Sequence, residues 1–371
     1  MLVSYPSTAS RARLALRAAT VTALALGLAA CSLGGTTEET EPGSDAGERA
    51  SQRVVLATHE SWNMPKKVLA EFTRETGYRV TVQAAGDAGE LTNKLVLTKG
   101  SPIADAVFGI DNTFASRAVE AGVLEEHQVE EQPASVDRLE LPDQDAAAQL
   151  TPVDFGDVCV NVDDVWFAEH DLQPPATLDD LVDPAYEGLF VTPGASTSSP
   201  GMAFLLATIA EYGEDGWQDY WEKLMANDTA VTAGWTDAYT VDFTAGGGNG
   251  DRPIVLSYAS SPPFTIPEGG SKPTTSALLD TCYRQVEYAG VLAGAENPEG
   301  ARALVDFMLS ESFQEALPDN MYVFPADDST ALPPVWARWA KVAEDPLSVD
   351  PAAVAENRDE WLQAWAEITT R

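Results

Sequence analysis

The chain has 371 residues, with 22 Lys and Arg against 58 Asp and Glu, a formal charge of −36. A balance this acidic argues against nucleic acid as a partner, because phosphate binding needs clustered Lys and Arg. A hydrophobic content of 44% allows a sizeable core and excludes wholesale disorder, and the length suggests two or three domain-sized units. The negative field suits a small cationic ligand, and the same composition also describes a solvated acidic surface.

In chain order, residues 1–30 contain no acid and carry Arg11, Arg13 and Arg17, followed by an apolar run from Ala18 to Ala30. That run is too short to span a bilayer and fits a signal-peptide core. It ends Leu28-Ala29-Ala30-Cys31, which resembles the bacterial lipobox, in which the cysteine is lipidated and becomes the mature N-terminus. Residues 31–52 offer almost nothing to bury and read as a flexible tether. The expected product is exported and lipid-anchored at the outer face of the bacterial cytoplasmic membrane.

From Arg53 the pattern alternates strand and helix. Arg53–Thr58 is β-rich and runs into the loop His59–Asn63. Pro65 opens a helix whose Val68, Leu69 and Phe72 share a face until Gly77 stops it. Tyr78–Gln83 and Ala104–Ile110 are further strands, each followed by a helix, with Leu91 and Leu95 on the first and Ala115, Ala118 and Val119 on the second. Such alternation argues a parallel sheet with covered faces, whose ligands sit beyond the carboxyl ends of the strands. Residues 59–63, 86–89 and 111–112 should therefore converge on one rim. Glu130–Leu150 reads as a polar surface excursion, Pro152–Val162 as another strand, and Pro174-Pro175 as the opening of a second lobe. Met202–Tyr212 is helical, 244–252 a loose loop, and Pro253–Tyr258 a strand. The segment from Pro334, with Trp336, Trp339, Trp361 and Trp365, reads as amphipathic helices packed on the second lobe.

After processing, two cysteines remain, Cys159 and Cys282. In an exported protein an even number suggests one disulfide, with two buried thiols as the alternative. Catalytic signatures are missing. The three histidines, His59, His127 and His170, form no triad context, and neither metal-ligand spacings nor phosphate- or dinucleotide-binding glycine motifs occur. The expectation is a protein with no enzymatic activity, no metal and no cofactor. What recurs is aromatic residues beside small polar residues and single carboxylates in loops after strands: His59 and Trp62, Asp87, Asp111 and Asn112, Asp154 and Phe155, Ser198 and Ser199, Trp235, Tyr258–Ser261 with Phe264, and Tyr322 with Phe324. Aromatic faces hold planar rings and cations, and carboxylates supply counter-charge. Ser199-Pro200-Gly201 reads as a helix N-cap followed by Pro at N1.

Several segments carry a family resemblance. They are Thr58–Trp62 (THESW), Gly109–Asn112 (GIDN), Pro152–Gly156 (PVDFG), Thr197–Gly201 (TSSPG), Gly234–Tyr239 (GWTDAY), Leu256–Pro262 (LSYASSP) and Gln285–Glu287 (QVE). In this order they resemble the thiamine-binding lipoproteins that serve ABC importers. The resemblance spans roughly residues 53–365 and belongs to a larger group that also binds iron, polyamines and sugars. It implies an α/β, bilobal periplasmic-binding-protein-like fold of type II, with the ligand in the cleft and crossover strands joining the lobes. Lobe 1 would comprise 53–153 plus 286–320, and lobe 2 would comprise 154–285 plus 321–371. By the same resemblance Asp87 and Ala88 meet the ligand from the first lobe, and Ser198, Ser199, Trp235, Tyr258, Ala259, Ser260 and Ser261 from the second, with His59, Trp62, Phe264 and Tyr322 completing the aromatic surround. The partners implied are thiamine, an ABC permease with its cytoplasmic ATPase, and the membrane through the lipid anchor, with a monomeric protein. Where the family pattern often has Tyr, this chain has His59, Phe155 and Phe264, and where it has Trp, this chain has Tyr322. The loss of phenolic groups at Phe155 and Phe264 removes donors to a phosphate and favours free thiamine over its phosphates. Competing readings are another cargo (a polyamine, a pyrimidine precursor or ferric iron), a lipid-anchored hydrolase with a carboxylate pair, and a surface sensor.

Overall fold

The computed structural model of the protein describes residues 52–370, so the signal segment, Cys31 and nearly all of the tether lie outside the described residues. Eleven strands are assigned there: β1 Arg53–Thr58, β2 Arg79–Ala84, β3 Ala106–Asp111, β4 Leu124–Glu125, β5 Thr151–Asp163, β6 Phe190–Pro193, β7 Ala230–Thr232, β8 Ile254–Tyr258, β9 Thr275–Ala277, β10 Tyr283–Leu292 and β11 Phe324–Pro325. They form one continuous sheet in the order β2-β1-β3-β10-β5-β8-β6-β7, with β4 beside β10 and both β9 and β11 beside β5.

Sheet polarity divides the molecule. β1 runs parallel to β2 and β3, and β6 runs parallel to β7 and β8. Between these groups lie the antiparallel strands β10 and β5, paired from Tyr283↔Val158 to Ala289↔Thr151. The parallel groups are built as expected from strand–helix alternation, since a parallel return needs a crossover helix. Helix Lys66–Thr76 turns Val68 and Phe72 inward and ends at Gly77 in the left-handed conformation. Side chains alternate across β1 and β3. Val54, Leu56, Ala106 and Phe108 join one core with Phe72 and Leu304, while Ala57, Val107 and Ile110 join the other with Leu91 and Leu95.

The second group packs around helix Ser199–Tyr212, which is buried continuously from Ser199 to Ile209. A helix apolar on all sides belongs in the interior, and here helices Trp217–Ala226 and Pro351–Thr369 cover it, with Trp217, Trp221, Trp361 and Trp365 in the same core. Trp361 and Trp365 thus sit where the amphipathic C-terminal pattern placed them. Trp336 packs elsewhere, against Phe324 and Phe264 beside β5.

Two readings need correction. Residues 130–150 are not only a surface excursion, since short helices Ala134–Asp137 and Gln144–Ala147 bury Val136 and Ala146. Helix 199–212 takes Ser198, not Ser199, as its N-cap residue, and that side chain makes no cap hydrogen bond. The cysteines are bonded: Cys159 on β5 joins Cys282, immediately before β10, and so ties the two crossover strands together. Among the described residues no helix is long and apolar enough to cross a membrane.

Candidate functional site

The carboxyl ends of β1, β2 and β3 carry His59, Asp87 and Asp111, and they face Ser199, Trp235 and Tyr258 from the other strand group. A cavity of about 30 Å³ lies between them, with His59, Asp87, Ser199, Trp235, Tyr258, Gln285 and Glu287 in its wall. The groups meet through direct hydrogen bonds. Asp87 uses one carboxylate oxygen to cap helix Ala88–Leu97, accepting from the Ala88 N–H at 2.7 Å, and the other to accept from the Trp235 N–H at 3.0 Å. Gly89 N–H donates to the Thr197 carbonyl at 3.0 Å, and the Ser61 and Thr236 hydroxyls approach to 3.4 Å. The lobes are therefore closed on each other, and the space between them is about that of one water.

The aromatic and hydroxyl groups of the second lobe are held firmly. One face of the Trp235 indole stacks on Tyr239 (centroids 5.0 Å apart, planes at 12°), and its Nε1–H donates to Ser257 Oγ at 2.9 Å. Tyr258 donates from its hydroxyl to Gln285 Oε1 at 3.1 Å. The hydroxyls of Ser198 and Ser199 are buried at the start of their helix without a hydrogen-bond partner. A buried hydroxyl left unpaired costs free energy, and a helix N-terminus favours acceptor atoms.

Glu287 in the cavity wall belongs to a row of carboxyl groups that runs across the sheet behind it. Glu287 on β10 is in register with Asp111 on β3 and with Asp154 on β5, so three acids lie side by side across three strands. Burial, then the Glu287 charge, pushes Asp154 well above the usual carboxyl range. Neither Asp154 oxygen has a donor, which fits a protonated Asp154 whose O–H is shared with Glu287. Burial also works against the Glu287 charge, but His59 and the contact from Asp154 outweigh it and hold Glu287 below its ordinary value. Burial would likewise lower His59; the charges of Glu287, Asp87 and Asp111 reverse this and raise it. The His59 Nε2–Glu287 Oε1 distance is 3.3 Å, an ion-pair contact that lacks hydrogen-bond alignment. Asp111 is pushed up from 3.8 to about 6, chiefly by burial. Its Oδ1 accepts from Thr113 N–H, Thr113 Oγ1 and Phe114 N–H, and the nearby Ser199 hydroxyl partly offsets the effect of burial without a fully aligned hydrogen bond to Oδ2.

Of the residues expected to meet a ligand, His59, Asp87, Ser199, Trp235 and Tyr258 share this cavity, with Ala88 and Ser198 beside it in the same turns. Others lie outside the wall. Trp62 packs edge-on to Phe108 in the first lobe's core, Tyr322 meets the Trp235 indole edge-on at 5.8 Å, and Phe264 stacks on Tyr322 at 3.5 Å. Ala259 lies against the disulfide, Ser260 Oγ bonds the Tyr322 carbonyl at 2.6 Å, and Ser261 Oγ holds Ser257 at 2.8 Å. Glu287 and Gln285 stood in a quoted motif, but their role in the wall was not read from the sequence. The available signal was a polar residue alternating into an otherwise apolar strand, QVEYAGVL. Among the described residues no group of three or more His, Cys, Asp or Glu is arranged to hold a metal ion.

The family profile described as bacterial extracellular solute-binding protein matches residues 63–315. This chain belongs to that family. Curated relatives of this solute-binding protein include the thiamine-binding periplasmic protein of Brucella melitensis, 30% identical over 87% of this chain and 94% of the relative, and that of Escherichia coli, 28% identical over 84% and 90%. Among solved structures, a periplasmic thiamin binding protein superposes with a TM-score of 0.73 at 28% identity, covering 86% of this chain and 96% of the other. The solute-binding protein thus has the bilobal α/β fold expected of it, with β5 and β10 as the strands that pass between lobes.

Proposed function

We propose that this solute-binding protein captures free thiamine outside the cytoplasm and delivers it to an ABC permease driven by a cytoplasmic ATPase, without chemical turnover. The observation that carries the reading is one cavity whose wall holds Trp235 from one strand group, the Asp87 carboxylate from the other and the Glu287 carboxylate from β10 between them. A thiazolium is flat and permanently charged, and it is recognised by an aromatic face together with a carboxylate. The names of the similar proteins support the same cargo. Pockets for molecules of this size measure roughly 300 Å³ or more, so the lobes must part around β5 and β10 to admit it and close again behind it. The lobes are taken as 53–153 plus 286–320 and 154–285 plus 321–371. A phosphate entering a wall that includes Asp87 and Glu287, with Asp111 beside Ser199, meets like charge, which favours thiamine over its phosphates.

The protein acts as a monomer held by a lipid on Cys31. Cys31→Ser should move it from the membrane fraction to the soluble one, and persistent anchoring would contradict this part of the reading. Calorimetry of the mature protein with thiamine, thiamine monophosphate and a polyamine tests the cargo. Thiamine is expected to bind at one site and more tightly than its phosphate, and Trp235→Ala is expected to weaken it at least tenfold, which is ~1.4 kcal/mol or more. Saturable binding of the polyamine with no response to thiamine overturns the assignment.

A further inference from the structure

His59 lies over the backbone at Gly109, where a side chain would collide with the imidazole. It is thereby fixed at the cavity wall with Nε2 directed toward Glu287. Among the described residues that line the cavity, His59 is the one side chain able to carry positive charge. Three acids act on the ring directly, Glu287 on β10, Asp87 at the start of helix Ala88–Leu97 and Asp111 at the end of β3, while the Phe108 ring lies beside it at 5.5 Å. Asp154 on β5 stands behind Glu287, and Tyr258 on β8 also senses the Glu287 charge. Glu60, next in the chain, faces Asp87 and Asp237. Two guanidiniums stand near this row without entering the cavity wall. Arg358, with Arg117 beside it, acts on Asp111, lies across the Phe114 ring at 5.6 Å and is paired with Asp359 at 2.9 Å, and Arg284 on β10 is paired with Asp157 at 2.8 Å. A buried set of negative groups must be balanced by protons or by a cation, and here the balance falls to Asp154 and His59.

We propose that the His59 imidazolium is a resident counter-cation for Glu287, which a cationic ligand displaces by expelling the Nε2 proton to solvent. His59 is then a specificity-determining residue. Capture of a permanent cation competes with one proton and strengthens as pH rises, whereas capture of a neutral isostere keeps the proton and does not. The inference rests on the proposed capture of a cation but not on that cation being thiamine. The sign follows from linkage. The ligand-bound His59 holds its proton less tightly than the free one, so affinity falls by up to about tenfold per pH unit below the ligand-free titration midpoint.

The test is an NMR titration of the His59 Cε1–H resonance in the full mature protein, alone and saturated with a cation. His127→Gln and His170→Gln assign the remaining two of the three histidines. The ligand-free midpoint should lie above 6.5, the ordinary value, and drop in Glu287→Gln. Saturation with thiamine should lower it by at least one unit, and the Kd measured between pH 6.5 and 8 should tighten with pH in the wild type and lose that slope in His59→Gln. A ligand-free ring that stays neutral down to pH 5, or a midpoint that a bound cation leaves unmoved, overturns the proposal. If thiamine fails to bind but spermidine binds and lowers the midpoint, the displacement mechanism stands and the assignment of cargo falls. If thiamine binds and the midpoint does not move, the reverse holds.

Discussion

Asp111 shows how one buried side chain couples fold and chemistry. Its Oδ1 organises the turn after β3 through three hydrogen bonds, and the Ser199 hydroxyl of the other strand group also acts on the carboxyl. Its carboxyl is raised from 3.8 to about 6, so the folded state binds this proton more tightly than the unfolded chain does. The group therefore favours folding below pH 4, and that advantage is lost as pH climbs toward 6, a change on the order of 3 kcal/mol. Asp111→Asn keeps an acceptor for the turn and removes the titration. Urea unfolding at pH 4 and pH 7 should show the variant gaining stability relative to wild type by about that amount. A difference that does not change with pH would mean that Oδ2 is solvated in the free protein. Asp111 was visible in the sequence as an acid in a loop after a strand, as was Asp87. The partner of each was not, because a strand-end residue reads the same whether its side chain caps its own turn or crosses a cleft. Phe264 and Tyr322 stack on each other, and Tyr322 also meets the edge of Trp235, so their ring character supports the site's aromatic residue from outside the cavity wall.

Helices and strands were legible wherever the apolar period ran for several turns. Helix Lys66–Thr76 follows directly from side-chain spacing, and β1 and β3 from short β-rich apolar runs. The four-residue helices at Ala134–Asp137 and Gln144–Ala147 were missed because one turn contains too little period to recognise. The pairing of β5 with β10 could not be read locally either, since 123 residues separate the two bonded cysteines. Closure depends on a contact between elements that sequence alone hides. The first turn of helix Ala88–Leu97 meets the loop before Ser199 so closely that a Cβ at Gly89 would lie 2.8 Å from the Ser196 carbonyl oxygen and 2.8 Å from the Thr197 carbonyl carbon. Gly89→Ala fits its own helix and obstructs only the approach of the lobes. It is expected to leave thermal unfolding near wild type while weakening ligand affinity and reducing the compaction on binding seen by small-angle X-ray scattering. Full compaction in the variant would show that the lobes close by another path.

The whole molecule carries a formal charge of −36, and Asp87 and Glu287 line the cavity between its lobes. A field of one sign focused on a cleft accelerates capture of the opposite charge, and salt screens it. Stopped-flow association of a cationic ligand should therefore slow severalfold between 10 and 150 mM salt, with a much smaller change in dissociation. A salt-insensitive on-rate would assign the acidity to solubility alone. The Cys159–Cys282 bond closes a long loop, and a double replacement with alanine is expected to cost about 2–5 kcal/mol in denaturant unfolding.

That bond also dictates where the molecule can be made well. In a reducing cytosol, strands β5 and β10 would pair with their sulfurs still as thiols, both fully buried, and later oxidants would have to reach them through a folded core. Chains prepared that way would emerge as a mixture, some stitched and some loose at the pivot, whereas secretion lets the stitch form while the polypeptide is still open. Titrations on unsecreted material would then average two populations with different freedom to swing.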